Sequence, residues 1–199
     1  METQQSSAGV TETSLVRKAQ KGDVEAFSSL VRLYQRRVVS VAYRLLGNGE
    51  DARDVAQDAF VRAYRALGQL EDANRFGPWL MRVVSNLSLN FRRSRKLRAA
   101  VSLDGSPENP SIADDPSAGH RQLKGNKVDA GIMAEETSGA IQVAMAQLPE
   151  KQRLALILFS VEGMPQNEVA EILDCTVELV KWNVFQARKK LKEALADYL

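Results

Sequence analysis

Apolar residues recur every three or four positions along most of this chain, and no stretch sustains the alternate-residue pattern of a strand. A helix repeats about every 3.6 residues, so such spacing gathers apolar side chains on one helical face. Phe27, Leu30, Val31, Tyr34, Val38, Val41, Ala42 and Leu45 form the first long stripe. Asp23 suits its N-cap, and Gly47, Asn48 and Gly49 stop it. Residues 50–67 place Ala52, Val55, Ala56, Ala59, Phe60, Ala63 and Leu67 on a second stripe. Residues 76–99 place Leu80, Val83, Val84, Leu87 and Phe91 on a third. The chain therefore reads as all-α.

One stretch breaks the pattern. Residues 102–119 hold three of the six prolines, among Ser, Gly, Asp and Asn. Too little apolar surface is present there to offset the entropy of ordering it. The expected organisation is a disordered tail (1–12), a helical domain (13–99), a flexible acidic linker (100–134) and a second helical domain (135–199). With 199 residues in all, each half buries a modest core.

The net charge is only +2, but its distribution is uneven. Residues 73–103 contain no acid, while Arg75, Arg82, Arg92, Arg93, Arg95, Lys96 and Arg98 are basic. Acids then outnumber bases from 104 to 136. A second basic run, Lys181, Arg188, Lys189, Lys190 and Lys192, follows without interruption by an acid. Two basic blocks around an acidic segment suggest two sites for a polyanion.

Several function classes lose support. Cys175 is the sole cysteine, so an intrachain disulfide is impossible and a reducing cytoplasm fits. The first residues lack the apolar core of a signal peptide, and the longest apolar run, 154–159, is far too short to span a bilayer. The one histidine, His120, sits in the expected linker. Metal-dependent cleavage wants clustered carboxylates or histidines, so an enzyme is a weak reading, and neither a metal nor a cofactor is expected. Cys175 reads as a small buried filler.

The sharpest local motif lies at 163–195. A short helix burying Val169, Ala170, Ile172 and Leu173 is followed by the turn Asp174, Cys175, Thr176. A second helix carries an inward stripe of Val177, Val180, Val184, Ala187, Leu191 and Leu195. Two helices joined by about three residues, the second basic on its outer side, describe a helix-turn-helix. A larger side chain than Ala170 would hold the two helices apart. Glu178, Lys181, Trp182, Asn183, Phe185 and Gln186 are the outward candidates for base edges, and Arg188 and Lys189 for phosphates. Charge alone would fit a solvated basic face; the preceding short helix and turn favour DNA.

In the first half, Asp51, Asp54, Gln57 and Asp58 lie off the buried stripe, the aspartates three and four residues apart. By itself this ridge is a solvated face. Phe76, Gly77, Pro78 and Trp79 then lead into the acid-free, arginine-rich helix. Aromatics for stacking and cations for phosphates suit a splayed single strand, although Phe76 and Trp79 also read as core aromatics.

Taken in order, Ala19 to Asp23 with Ala26 and Phe27, the acidic helix 51–60, the block 79–86, and Leu148-Pro149 before the helix-turn-helix resemble the extracytoplasmic-function sigma factors of the sigma-70 family. The likeness covers about 13–98 and 135–199. It implies an alternative RNA polymerase sigma factor, a non-enzymatic subunit that directs core RNA polymerase to promoter DNA. Asp51, Asp54, Gln57 and Asp58 would dock on the clamp helices of the largest polymerase subunit. The loop 68–75, with Phe76 and Asn86, would capture a base flipped from the minus-10 element, and Arg82, Asn90, Arg92, Arg93 and Arg95 would hold the strands. The second half would read the minus-35 element and touch the flap of the second-largest subunit. Such factors are often held inactive by an anti-sigma factor, and no residue here identifies one. This chain departs from the family at Leu70, Asp174, Trp182, Asn183 and Gln186. The competing reading is a conventional helix-turn-helix regulator, which gives no reason for the acid-free helix.

Overall fold

A computed structural model describes residues 4–103 and 130–196, with side chains for 12–98 and 139–196. Among these residues the fold is helical, with no strand. Four helices build the first unit: α1 (Gln4–Gln20), α2 (Val24–Leu46), α3 (Gly49–Ala66) and α4 (Phe76–Leu103). The Asp23 carboxylate caps α2 by accepting from the Ala26 N–H at 3.0 Å. Gly47 ends that helix in the left-handed region at φ 76, which glycine adopts without steric cost. The Asn48 side chain then accepts from the Glu50 and Asp51 N–H groups and starts α3 at once.

The inward side of α3 is small. Ala52, Ala56, Ala59 and Ala63 are all at most 4% exposed. With no bulk at these positions, α3 packs closely on both α2 and α4. The α3–α4 connection consists of two tight turns, Leu67–Gln69 and Ala73–Arg75. Gln20 of α1 pins it, donating from Nε2 to the Leu67 and Leu70 carbonyls at 3.1 and 2.7 Å. At the start of α4, a Cβ on Gly77 would fall 2.7 Å from the Tyr34 hydroxyl, so glycine permits the approach. The Tyr34 ring meets Phe76 edge-on at 5.4 Å.

The second unit holds α5 (Ala130–Gln147), α6 (Glu150–Leu156), α7 (Gln166–Leu173) and α8 (Val177–Ala194). A π turn, Ile157–Val161, extends α6. Leu154, Ile157, Leu158, Val169, Val180, Val184 and Ala187 are buried together. Asp174 closes α7 with a left-handed backbone at φ 49. Aspartate tolerates that region better than most residues. Thr176 caps α8, its hydroxyl accepting from the Leu179 N–H at 3.3 Å.

Helix extends past two of the expected boundaries. The tail expected at 1–12 is helical from Gln4, because its turns continue into the packed turn around Val16 and Ala19. Helix enters both ends of the segment expected as a linker (100–134): α4 runs to Leu103 and α5 starts at Ala130. The rest of that segment, 104–129 with His120, lies outside the described residues. Among the described residues no helix is long and apolar enough to cross a membrane.

A buried arginine joins the two units. Arg153 of α6 is 3% exposed. It donates to the Leu45 carbonyl at 3.2 Å, the Leu148 carbonyl at 3.1 Å and the Ala146 carbonyl. These carbonyls cluster at the C-terminal ends of α2 and α5, which lack intrahelical donors and carry partial negative charge.

Candidate nucleic-acid interface

The exposed side of α4 is a row rather than a patch. Arg82, Asn86, Asn90 and Arg93 recur at three- and four-residue steps, and all four are exposed. The apolar side of the helix fixes their direction, since Leu80, Met81, Val84 and Leu87 are buried. Cations and amides without an acid in the row can donate to phosphate oxygens and hydrogen-bond base edges along one strand.

The other expected strand-holding residues do not join this row. Arg95 projects from the opposite side of α4 and pairs with Asp51 of α3 at 3.0 Å. Arg92 is half-buried, and its Nη1 is buried without a hydrogen-bond partner. Phe76 requires correction as a base-contacting residue: it is fully buried, wedged between Tyr34 and Trp79. The first turn of α4 has to anchor in the core before its later turns can project, and Phe76 supplies that anchor. Trp79 is half-buried against the same cluster.

On α3 the structure keeps the acidic ridge together. Asp54, Gln57 and Asp58 are exposed and Asp51 is half-buried. Val61, 42% exposed, continues the ridge one turn on. Sequence reasoning missed Val61 because an apolar residue among helical apolar spacing reads as core.

In the helix-turn-helix, Val180, Val184 and Ala187 turn α8 inward. Glu178, Lys181, Trp182, Phe185, Arg188 and Lys189 are exposed, and Gln186 is half-buried. The outward placement of Asn183 is corrected: it is 4% exposed, and its Nδ2 donates back to the Leu179 carbonyl at 2.9 Å. A polar residue flanking the apolar stripe can be buried when its amide finds a backbone acceptor within the same helix. Hydrogen bonds from a backbone N–H and from Thr176 hold the Glu178 carboxyl below its usual range. Arg188 donates to the Ser160 hydroxyl at 3.0 Å and lies over the Phe159 ring at 6.0 Å. Cys175 is half-buried, and burial pushes its thiol up.

Acids of the second unit reach arginines of the first. Arg37 Nε donates to Glu162 at 2.5 Å and Arg37 Nη2 to the Glu162 carbonyl at 3.2 Å. Arg75 pairs with Glu171 and Arg93 with Glu150, each at 2.6 Å. Arg93 belongs to the α4 row, so in this arrangement a carboxylate holds one of its cations. Nothing in the periodicity of either half signals these pairs, because they cross from one unit to the other. Among the described residues no group of His, Cys, Asp and Glu is placed to hold a metal ion.

Comparison with known proteins agrees with this layout. Residues 30–98 match the Sigma-70 region 2 family and residues 138–191 match Sigma-70, region 4. The RNA polymerase sigma-H factor of Pseudomonas aeruginosa is 32% identical, over 93% of this chain and 94% of that protein. The ECF RNA polymerase sigma-E factor of Escherichia coli K12 is also 32% identical, over 92% of this chain and 93% of that protein. Among solved structures, CnrH in complex with the cytosolic domain of CnrY superposes with a TM-score of 0.68 at 22% identity, covering 94% of this chain and 98% of that one. Both regions occur in order, and likeness to whole sigma factors runs over more than nine-tenths of the chain. The protein therefore belongs to the extracytoplasmic-function sigma factors of the sigma-70 family and directs RNA polymerase to promoters.

Proposed function

We infer that the two units divide promoter recognition between them. The first clasps the clamp helices of the largest polymerase subunit with Asp51, Asp54, Gln57 and Asp58, aided by Val61. Its α4 row, Arg82, Asn86, Asn90 and Arg93, holds a separated strand of the minus-10 element. Arg92 and Arg95 reach DNA only after Arg92 is uncovered and Arg95 leaves Asp51, and then from other sides of α4 than the row. The second unit reads the minus-35 duplex through α8, and 104–129 connects the two. The observation that carries this reading is an acid-free row on α4 beside an acidic ridge on α3, within one small helical unit. A conventional helix-turn-helix regulator has no use for that pairing.

No catalytic residue is required, because polymerase supplies the chemistry. Sigma contributes binding that favours unpaired over paired promoter DNA. Flipping a base costs only a few kcal/mol, which contacts to the base and backbone can offset. Two DNA-binding units on one tether also gain apparent affinity through effective concentration. Work of this kind belongs in the cytoplasm. An inhibitor of the anti-sigma class is a further partner under this reading; RpoE of Bartonella quintana was solved in complex with the anti-sigma factor NepR. The test is transcription from a promoter library by purified core polymerase, with and without this chain. Initiation should depend on the chain. Failure of the chain to associate with core polymerase would leave only a generic DNA binder.

A further inference from the structure

The side of α8 that points away from its core is aromatic. Val180, Val184 and Ala187 define the buried side. Opposite them, Glu178, Trp182, Phe185 and Lys189 fall in one row, because steps of four, three and four residues stay on one helical face. Trp182 is 52% exposed and Phe185 64%. Of the side chains suited to hydrogen-bonding a base, Asn183 is buried, Gln186 is half-buried at the flank, and Glu178 and Lys189 stand at the two ends of the row, leaving Trp182 and Phe185 at its centre. Lys181, Arg188 and Lys192 run along one side of the row and Lys190 along the other.

A helix laid in the major groove turns its outermost row to the groove floor and its flanks to the phosphates. Cationic flanks therefore match a polyanion, and the two aromatics at the centre of the row must find an apolar group on the floor. B-DNA offers one such group there, the C5 methyl of thymine. We propose that Trp182 and Phe185 contact thymine methyls, so that this chain selects its upstream element by apolar contact with thymines rather than by hydrogen bonds to guanine. This rests on the reading of α8 as the duplex-reading helix, and the test separates the two.

Core polymerase with the full chain is used to transcribe a promoter library whose upstream element is randomised. In the enriched promoters each thymine of the element is replaced by deoxyuridine, which removes the methyl and keeps the base pair. Initiation should fall about fourfold at one or more positions, the effect of losing one buried methyl. Trp182→Ala or Phe185→Ala should abolish that sensitivity while polymerase association persists. If scrambling the element stops initiation but deoxyuridine changes nothing at any thymine, or the enriched elements lack thymine, the methyl contact is overturned and duplex reading stands. If scrambling changes nothing, both fail, and the aromatic row serves a protein partner.

Discussion

The Arg153 guanidinium sits where two helix C-termini converge from separate units. Burial and the nearby Arg92 guanidinium push its pKa down to about 10, which still leaves it charged at neutral pH. A buried cation is costly unless its donors are used. Here they supply the terminal carbonyls of α2 and α5, while Nε stays without a partner. Arg153→Met should destabilise the protein by about 2–4 kcal/mol, because it strands buried carbonyls. A lower urea midpoint for the full chain is the measurement. At the surface the expectation is opposite. Asp54→Arg with Asp58→Arg touches exposed positions, so thermal stability should hold to within about 0.5 kcal/mol. Co-purification with core polymerase should be lost. Retained association would remove α3 from the polymerase interface.

Among the elements, α3 shows how small side chains set geometry. Its alanines let two neighbours approach, and the acidic ridge is thereby held at a fixed angle to the α4 row. Ala59 is fully buried, so Ala59→Leu should cost about 1–3 kcal/mol through overpacking, read as a lowered urea midpoint. The caps of α2 were legible beforehand. Asp23 and Gly47 act where the residue types imply, because capping depends on local backbone donors and acceptors, whereas Asn48, read as a stop for α2, also caps α3. The turn from Asp174 to Thr176 between α7 and α8 was legible for the same reason. Asn183 was not, and Phe76 stood between core and base contact. Each sits at the edge of an apolar stripe, where a rotation of a few tens of degrees decides between core and surface. Packing partners from other helices, Tyr34 for Phe76, settle that rotation.

In the whole molecule the two units are clasped. Glu162 is nearly buried (8% side-chain exposure) against Arg37, whereas the Arg75–Glu171 and Arg93–Glu150 pairs are more exposed. Exposed pairs contribute about 0–1 kcal/mol and weaken with salt. The clasp therefore depends mainly on the Arg37–Glu162 pair, Arg153 and apolar contact. Replacing Glu150, Glu162 and Glu171 together by Gln should open it. The radius of gyration from small-angle scattering should rise, and single-stranded minus-10 oligonucleotides should bind several-fold more tightly as Arg93 is released. An unchanged scattering profile would assign the closure to Arg153 and apolar packing.

The helices from α2 to α4, the Asp23 cap, the helix-turn-helix and the family likeness all follow from the sequence, because each depends on neighbours within a turn or two of the chain. The tertiary structure decided which face of α4 is exposed and which of its arginines are tied to Asp51 or to the second unit. It also turned Asn183 inward and left Trp182 and Phe185 outermost on α8. Those outcomes depend on the rotation of each helix about its axis and on charges brought together from distant positions. Local periodicity fixes the first only to within a residue and carries no information about the second.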